Sequence, residues 1–562
     1  MRTTLVSFAL QNKGRRAMAA SARSGFSYRY LIEKLRAQLF ATRVYHASLL
    51  RRPPKALRFT PEPNWPGDIE RGAAILLGRF ELGAEQTVVS IDPWSLEMPS
   101  ADIKARLHKF EWLRDAAAAP DQERARARVQ TIVHDWISLN PHWSPIVWRA
   151  DVMGERIAMW LEYYDLFFAK GSKSFRALVM RSLSHQLAHL GRVWNKEADG
   201  VARIRALKGM IYGAVCFPNG DKKLIAALRK LEFEIGRQIG QDGGHAERSP
   251  GAHHELLRHL VDLRAVLLAA QKPAPETVQS AIDRMAPLLR FYRHQDGGLS
   301  LFNGTREESA PNIDATLIKA DARGQSPRSA PYAGFERLLS GRLLLLADTG
   351  APPQREFDRF SHAGTLSFEM SVGRERVIVN CGSAQSTEPP WYTAQRTTAA
   401  HSTLSIEDRN SSELLENGGI GRRPQTVSCE RLDDEEHLSF TASHDGYGHA
   451  FGVVHLRQIK LAKHSELILG SDRLIGEGLH SFCIRFHLHP DVTVSIAQGG
   501  ESGLFKLAKG GGWRFNVSGA AMHLEESIYL GGTRPRRSTQ IVLEGVTSEG
   551  ETQVDWSISP VT

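Results

Sequence analysis

Residues Thr349–Phe360, TGAPPQREFDRF, divide the chain into two grammars. The adjacent prolines Pro352 and Pro353 suit neither the interior of a helix nor a central strand. Back from this loop to about residue 26, apolar residues recur three and four apart. The pattern runs through SYRYLIEKLRAQLFATRVY (27–45), VMGERIAMWLEYYDLFF (152–168), LVMRSLSHQLAHLGRVW (178–194) and VARIRALKGMIYGAVC (201–216). It continues in KLIAALRKLEFEIGRQI (223–239), HHELLRHLVDLRAVLLAAQ (253–271) and TVQSAIDRMAPLLRFYR (277–293). The breaks FPNGDKK, QDGGHAERSPG and QKPAPE are short and rich in Gly, Pro and Asn, as between antiparallel helical hairpins. Residues 58–115 interrupt the pattern with RFTPEPNWPGD, the alternating TVVSID and LHKFEWLRD, which predict a small, partly irregular insertion.

Forward from the loop the period changes to two. TLSFEMSVG, ERVIVNCG, STLSIED, HLSFTASHD, GVVHLRQIKLA, SELILGSDRLIG, FCIRFHLHP, VTVSIAQG, FKLAKGGGWRFNVS and TQIVLEGV are short alternating runs between turn residues. The expected architecture is therefore α then β. A basic arm and first helix occupy 1–60, an (α/α) toroid of hairpins 61–350, and an antiparallel β-sandwich 355–562.

The bulk numbers agree with a multidomain globular protein. The chain has 562 residues, 42% apolar and 24% charged, and such a length suggests roughly two to four domains. The net charge is +9, yet residues 1–60 alone hold thirteen Lys/Arg against one acid, Glu33. Such an arm suits a polyanion, an anionic membrane surface or simply solvent. The four cysteines, Cys216, Cys381, Cys429 and Cys483, lie far apart without CxxC spacing, which argues against a disulfide scaffold or a cysteine-built zinc site. The apolar run Leu5–Leu10 is short and broken by Ser7, so a secretory signal is not supported and a cytoplasmic location follows from the sequence. No stretch is long and apolar enough to span a bilayer. The glycine strings GGHAERSPG and AKGGGW lack the strand–glycine–helix context of a phosphate loop, and nucleotide binding is discarded.

Several strings, in order, carry a resemblance. Trp65-Pro66-Gly67-Asp68 with Gly72, then Leu107-His108-Lys109-Phe110-Glu111-Trp112-Leu113, precede Asp242-Gly243-Gly244-His245 and Glu247-Arg248-Ser249-Pro250. In the β half come Ser361-His362-Ala363 with Leu366-Ser367-Phe368, then Arg396, Thr398 and Ala400-His401-Ser402-Thr403. His444-Asp445-Gly446-Tyr447 and Arg485-Phe486-His487-Leu488-His489-Pro490 complete the series. Together these resemble the heparinase II/III family of uronic-acid polysaccharide lyases over most of the chain.

The resemblance implies β-elimination at a uronic acid in a cleft between toroid and sandwich. That reaction needs neutralisation of the substrate carboxylate, a base for the C5 proton and an acid for the departing C4 oxygen. The chain departs from the family pattern at each of these places. The family's proton-carrying Tyr falls on Ala252, its Asn–His helix start falls on Asp199–Arg205 with neither residue present, and its HxHxD string reads Phe360–Gly364. A substitute catalytic set would comprise His253 or His254 as base, Arg248 on the carboxylate, and Tyr392 from the sandwich side. Substrate contacts would come from Arg203, Arg205, His245, Glu247, His142, Trp143 and Trp391. The resemblance also implies one structural zinc in the sandwich on His362, Asn380 and His401, where Asn replaces a carboxylate ligand.

Three functions remain open on the sequence. The first is a lyase acting on an acidic, uronate-containing glycan. The second is a non-catalytic glycan-binding protein on the same scaffold. The third is a glycoside hydrolase using Asp242 and Glu247. The expected partner is an acidic polysaccharide rather than nucleic acid, with an oligomer allowed, and the location is left open between the cytoplasm, which the sequence implies, and the periplasm, which the resemblance implies.

Overall fold

A computed structural model describes residues 32–561, apart from 83–86, 91, 99, 197–198, 385–390, 417, 498 and 533. The basic arm up to residue 31 lies outside the described residues, and its continuation runs helically to residue 40 before the helix Arg43–Leu49.

Inner and outer helices alternate along the α half. Ala150–Glu162 is buried along its whole length. It packs on Val201–Cys216, which in turn packs on Pro250–Ala269. Lys173–Val193, Asp221–Gln238 and Glu276–Phe291 lie outside these three, each with one apolar face. Glycines set the tightest inner contact: a Cβ on Gly209 would fall 2.6 Å from the Cα of Gly154, so the two helices meet backbone to backbone. The helix that opens the DGGHAERSP segment's far side is started by Ser249, whose side chain accepts from the Ala252 amide, with Pro250 in its first turn. The expected insertion is present as a two-stranded ribbon, Arg79–Glu81 with Thr87–Val89, and three short helices, Ile69–Leu76, Ala101–Lys109 and Leu113–Ala117.

The β half forms two antiparallel sheets, one of eight and one of nine strands. Val453–Ala462 alternates buried and half-buried positions, as a strand with one face in a core must. Its inward Arg457 ties the sheets together, donating to the carbonyls of Leu366 and Ser402 and to Asp472.

The domain edge differs from the expected one. Helix gives way to strand at Ser329, and Phe335–Ser340 and Leu343–Asp348 already belong to the nine-stranded sheet. The run LLLLAD is buried on both faces. Leu343, Leu345 and Ala347 enter the sandwich core, while Leu344 and Leu346 enter the helical core. A strand sandwiched between two cores has no polar side, so its sequence shows no alternation.

Candidate functional site

The loops facing the inner helices enclose a cleft. Its first part, about 1130 Å³, is lined by the helix starts at Val201 and Gly251, the segment around Asn303–Glu308, and the loop Arg355–Phe360. A second part of about 1080 Å³ shares Lys109, Arg205, Arg306 and Arg359 with the first and extends to Trp143, His362 and Tyr392. Charge is distributed unevenly along it. Nine Lys/Arg and nine Asp/Glu line the first part, so it is nearly electroneutral. Nine Lys/Arg face only four Asp/Glu in the second, which is strongly cationic.

The floor of the first part is a buried ion network that the sequence reading missed. Lys208 reaches Glu155 at 3.0 Å and Asp262 at 2.9 Å. Burial opposes the charge on Lys208, but Asp262 and Glu155 outweigh it and hold the ammonium protonated. Asp262 also accepts from the Trp65 indole at 2.6 Å and from Asn64 at 2.9 Å, which anchors the WPGD segment. A lysine amid the apolar run of VARIRALKGMIYGAVC was the one sequence signal for this network. Glu255 and His259, one and two helical turns beyond Ala252, also line the cavity.

Two of the four expected catalytic residues are committed elsewhere. Arg248, at φ +51°, is a domain tie. It donates to the carbonyls of Ala333, Gly334, Gly350 and Ala351 and pairs with Asp348 at 2.5 Å, so no donor is left for a substrate carboxylate. His253 is buried, donates from Nε2 to the Met285 carbonyl at 2.9 Å and packs edge-on against Tyr292; it does not reach the cleft. His254 does line the cleft. The Thr316 hydroxyl already donates to Asn312, so it accepts from His254 Nε2–H at 2.8 Å, leaving Nδ1 unprotonated. Burial pushes the His254 imidazole down to about 3, which keeps it neutral. Tyr392 borders the second part, with its hydroxyl donating to the Arg359 carbonyl at 2.9 Å.

The expected substrate contacts divide the same way. Arg205 lines both parts but is paired with Glu255. Arg203 lines the second part, paired with Asp199 at 2.5 Å and Glu234 at 3.2 Å. Trp143 lines the second part, its amide donating to His46 at 2.8 Å. His142 stacks against His46 outside the cleft, and His245 is buried on Gln238 at 3.2 Å. Trp391 is exposed and borders neither part. Glu247 lines the first part, accepting from the Val201 amide at 3.0 Å. The hydrolase pair does not form, because both oxygens of Asp242 accept backbone amides, from Gly244 and Ala333.

The zinc trio does not fit an ion. His401 Nδ1 donates to the Thr397 carbonyl at 2.7 Å, so its Nε2 accepts from His362 Nδ1–H at 3.0 Å, and the two rings hydrogen-bond directly. Asn380 is spent on Glu369 and on the Ser402 amide. Among the described residues, the one group of three metal-capable side chains within reach of each other is His523, Glu525 and Glu544, half-buried to exposed and outside the cleft lining.

The positions of the departures matter more. Ala252 lines the first part of the cleft, as do Asp199, Val201, Ala202 and Arg205 of the segment Asp199–Arg205; these are the places to which the resemblance assigns the lyases' proton-transfer Tyr and carboxylate-neutralising Asn–His, and none of those residue types stands there. Domain models of the heparinase II/III N-terminus match residues 87–307, and those of the heparinase II/III-like C-terminal domain match residues 322–557. The chain belongs to the heparinase II/III-like family. The gap between the two matches falls at the helix Ala310–Ala320, just before the first strand of the sandwich. Among solved members of this fold, heparinase III superposes with a TM-score of 0.71 at 14% identity, covering 92% of this chain and 88% of that one. Heparan sulfate lyase HepC from Pedobacter heparinus gives 0.59 at 16% identity, over 92% and 87%. At these identities the likeness establishes the shared helical toroid and β-sandwich. FtsZ-localized protein C of Caulobacter vibrioides is 29% identical over 533 residues, 90% of each chain. Among the described residues no helix is long and apolar enough to cross a membrane.

Proposed function

We propose that this heparinase II/III-like protein is an acidic-glycan-binding protein on a polysaccharide-lyase scaffold, and that it lacks the lyases' β-elimination. One observation carries the reading. The cleft keeps a cationic wall, while Ala252 takes the position that the resemblance gives to the lyases' proton carrier and Asp199–Arg205 offers neither Asn nor His at the helix start. Elimination without a positioned base and acid forfeits the factor of about 10²–10⁴ that each such group supplies. Two of the four residues that could substitute are drawn away, Arg248 into the domain junction and His253 into the helical core, while burial holds His254 neutral at about 3 and the Tyr392 hydroxyl donates to the Arg359 carbonyl. The test is calorimetric titration with unsulfated and sulfated uronate oligosaccharides, run beside ultraviolet absorbance of the same mixtures. Binding without an unsaturated product supports the reading, and accumulating product restores the lyase assignment.

A second reading concerns where the protein acts. The similarity to FtsZ-localized protein C runs through both domains, which favours a place at the bacterial division site. Fluorescent fusions imaged with labelled FtsZ test it: coincident midcell bands support that role, and a diffuse signal removes it.

A further inference from the structure

Glu247 stands apart from the paired acids on the floor and helix side of the first part of the cleft. Glu155 and Asp262 share Lys208, Glu255 pairs with Arg205, and Asp199 pairs with Arg203. Glu111 is balanced by Lys109. Glu247 forms no such ion pair; Oε1 accepts the Val201 amide at the start of the helix, and Arg205 acts on it only from a distance. The site is shaped around this carboxyl. Gly200 sits at φ +72°, and a Cβ there would fall 1.8 Å from Oε1, so only glycine lets the carboxyl reach the helix start. Its place is also the place of the departures, touching the helix start at Val201 and sharing the cavity with Ala252.

We propose that Glu247 is the specificity-determining acid of the glycan cleft: protonated, it donates a hydrogen bond to a sugar carboxylate, and ionised, it repels that carboxylate, so binding weakens as pH rises through neutrality. The proposal rests on the glycan-binding reading above. Burial raises the Glu247 carboxyl to about 7, against the opposing pull of the Val201 amide and Arg205. Burial keeps His254 and His259, which line the same cavity, neutral at about 3. Asp199 pairs with Arg203 and Glu255 with Arg205, and Arg355 and Glu356 stand on the facing loop. Lys109 is pushed down by burial to about 8, so it loses about half its charge by pH 8 and adds a fall of about twofold to wild type and variant alike.

The experiment is titration of the full chain with a hexameric oligogalacturonate at pH 6, 7 and 8, for the wild type and for Glu247→Gln. Gln keeps the acceptor for the Val201 amide, so thermal unfolding should be unchanged at pH 6. The wild type should lose about fivefold in affinity between pH 7 and 8, and about tenfold from pH 6 to 8, as expected for a ligand that requires one proton bound to a group at about 7. Glu247→Gln should bind as tightly as the wild type at pH 6 and fall by no more than about twofold to pH 8, the share of Lys109. A flat wild type, or a Glu247→Gln variant with the wild-type pH dependence, overturns the proposal while leaving glycan binding intact. No binding by either protein at any pH overturns the glycan-binding reading and this proposal with it.

Discussion

Replacing Arg248 by alanine separates the role the structure gives this residue from the substrate role suggested by its place beside the SP motif. Five hydrogen bonds leave with the guanidinium: to Ala333, Gly334, Gly350 and Ala351 carbonyls, and to Asp348. The ring of Phe335 also loses the cation 4.9 Å above it. Asp348 stays behind, 4% exposed, with the Gly350 amide at 3.3 Å and the Asn303 side chain as its remaining partners. Removing one member of a buried ion pair costs about 3–5 kcal/mol, chiefly because the other charge is stranded. The positive φ adds nothing to this difference, since alanine meets the same strain there as arginine. We therefore expect Arg248→Ala to lose about 4 kcal/mol in urea denaturation, and Arg248→Lys to lose most of it, because one ammonium cannot span four carbonyls on two segments. Asp348→Asn should cost less and should couple to Arg248→Ala by more than about 1 kcal/mol in a double-mutant cycle. Glycan affinity of the folded variant should stay within a few-fold of the wild type. An Arg248→Ala protein of wild-type stability that no longer binds glycan would refute the domain-tie reasoning.

Acid should weaken the fold through its histidines. His108, His189, His245, His254, His259 and His487 are each lowered by burial to about 3, below the roughly 6.5 of an unfolded chain. Groups with depressed folded values give stability that is present above 6.5 and lost as pH falls, about 1.4 kcal/mol per pH unit for each histidine. Glu162 and Glu247, raised to about 7, work in the opposite sense, because their protonation on acidification favours the fold. Six against two leaves a net loss, so the urea midpoint should fall steeply between pH 6.5 and 4.5; a level profile would contradict the buried neutral imidazoles. Protein purified from zinc-supplied cells should carry zinc well below one equivalent, and a chelator should leave its unfolding unchanged. Stoichiometric metal with chelator-induced unfolding would mean that His362 and His401 part to hold an ion.

The strand alternation after the loop at 349–360 read directly into structure because each of those strands keeps one face in a core. Three strands went unread. Val427–Arg431 and Ala521–Tyr529 carry many exposed or half-buried residues on both faces, whereas Gly550–Pro560 buries Val554, Trp556 and Ile558 on one face but opens with the polar run GETQ. Leu343–Asp348 was assigned to the helical half because an unbroken apolar run has no period to read. At the site, sequence order located Ala252, Glu247 and the helix start at Val201 on the cleft, since neighbours along a helix entrance stay together in space. Sequence could not tell His253 from His254. One step of about 100° around the helix sends the first into the core and the second to the cavity. Nor could it show that Arg248 leaves its own loop for carbonyls about a hundred residues away, or that Lys208 finds two carboxylates on two other helices.

The central claim is that the cleft retains recognition of acidic sugars after losing the groups that cleave them. The most direct measurement is one mixture read two ways: heat of binding and ultraviolet absorbance of the full chain with a panel of uronate oligosaccharides at pH 6. Saturable binding is expected, weakened by Arg359→Ala on the cationic wall, with no unsaturated uronate formed over many hours. Steady growth of that absorbance, abolished by boiling the protein, would contradict the claim.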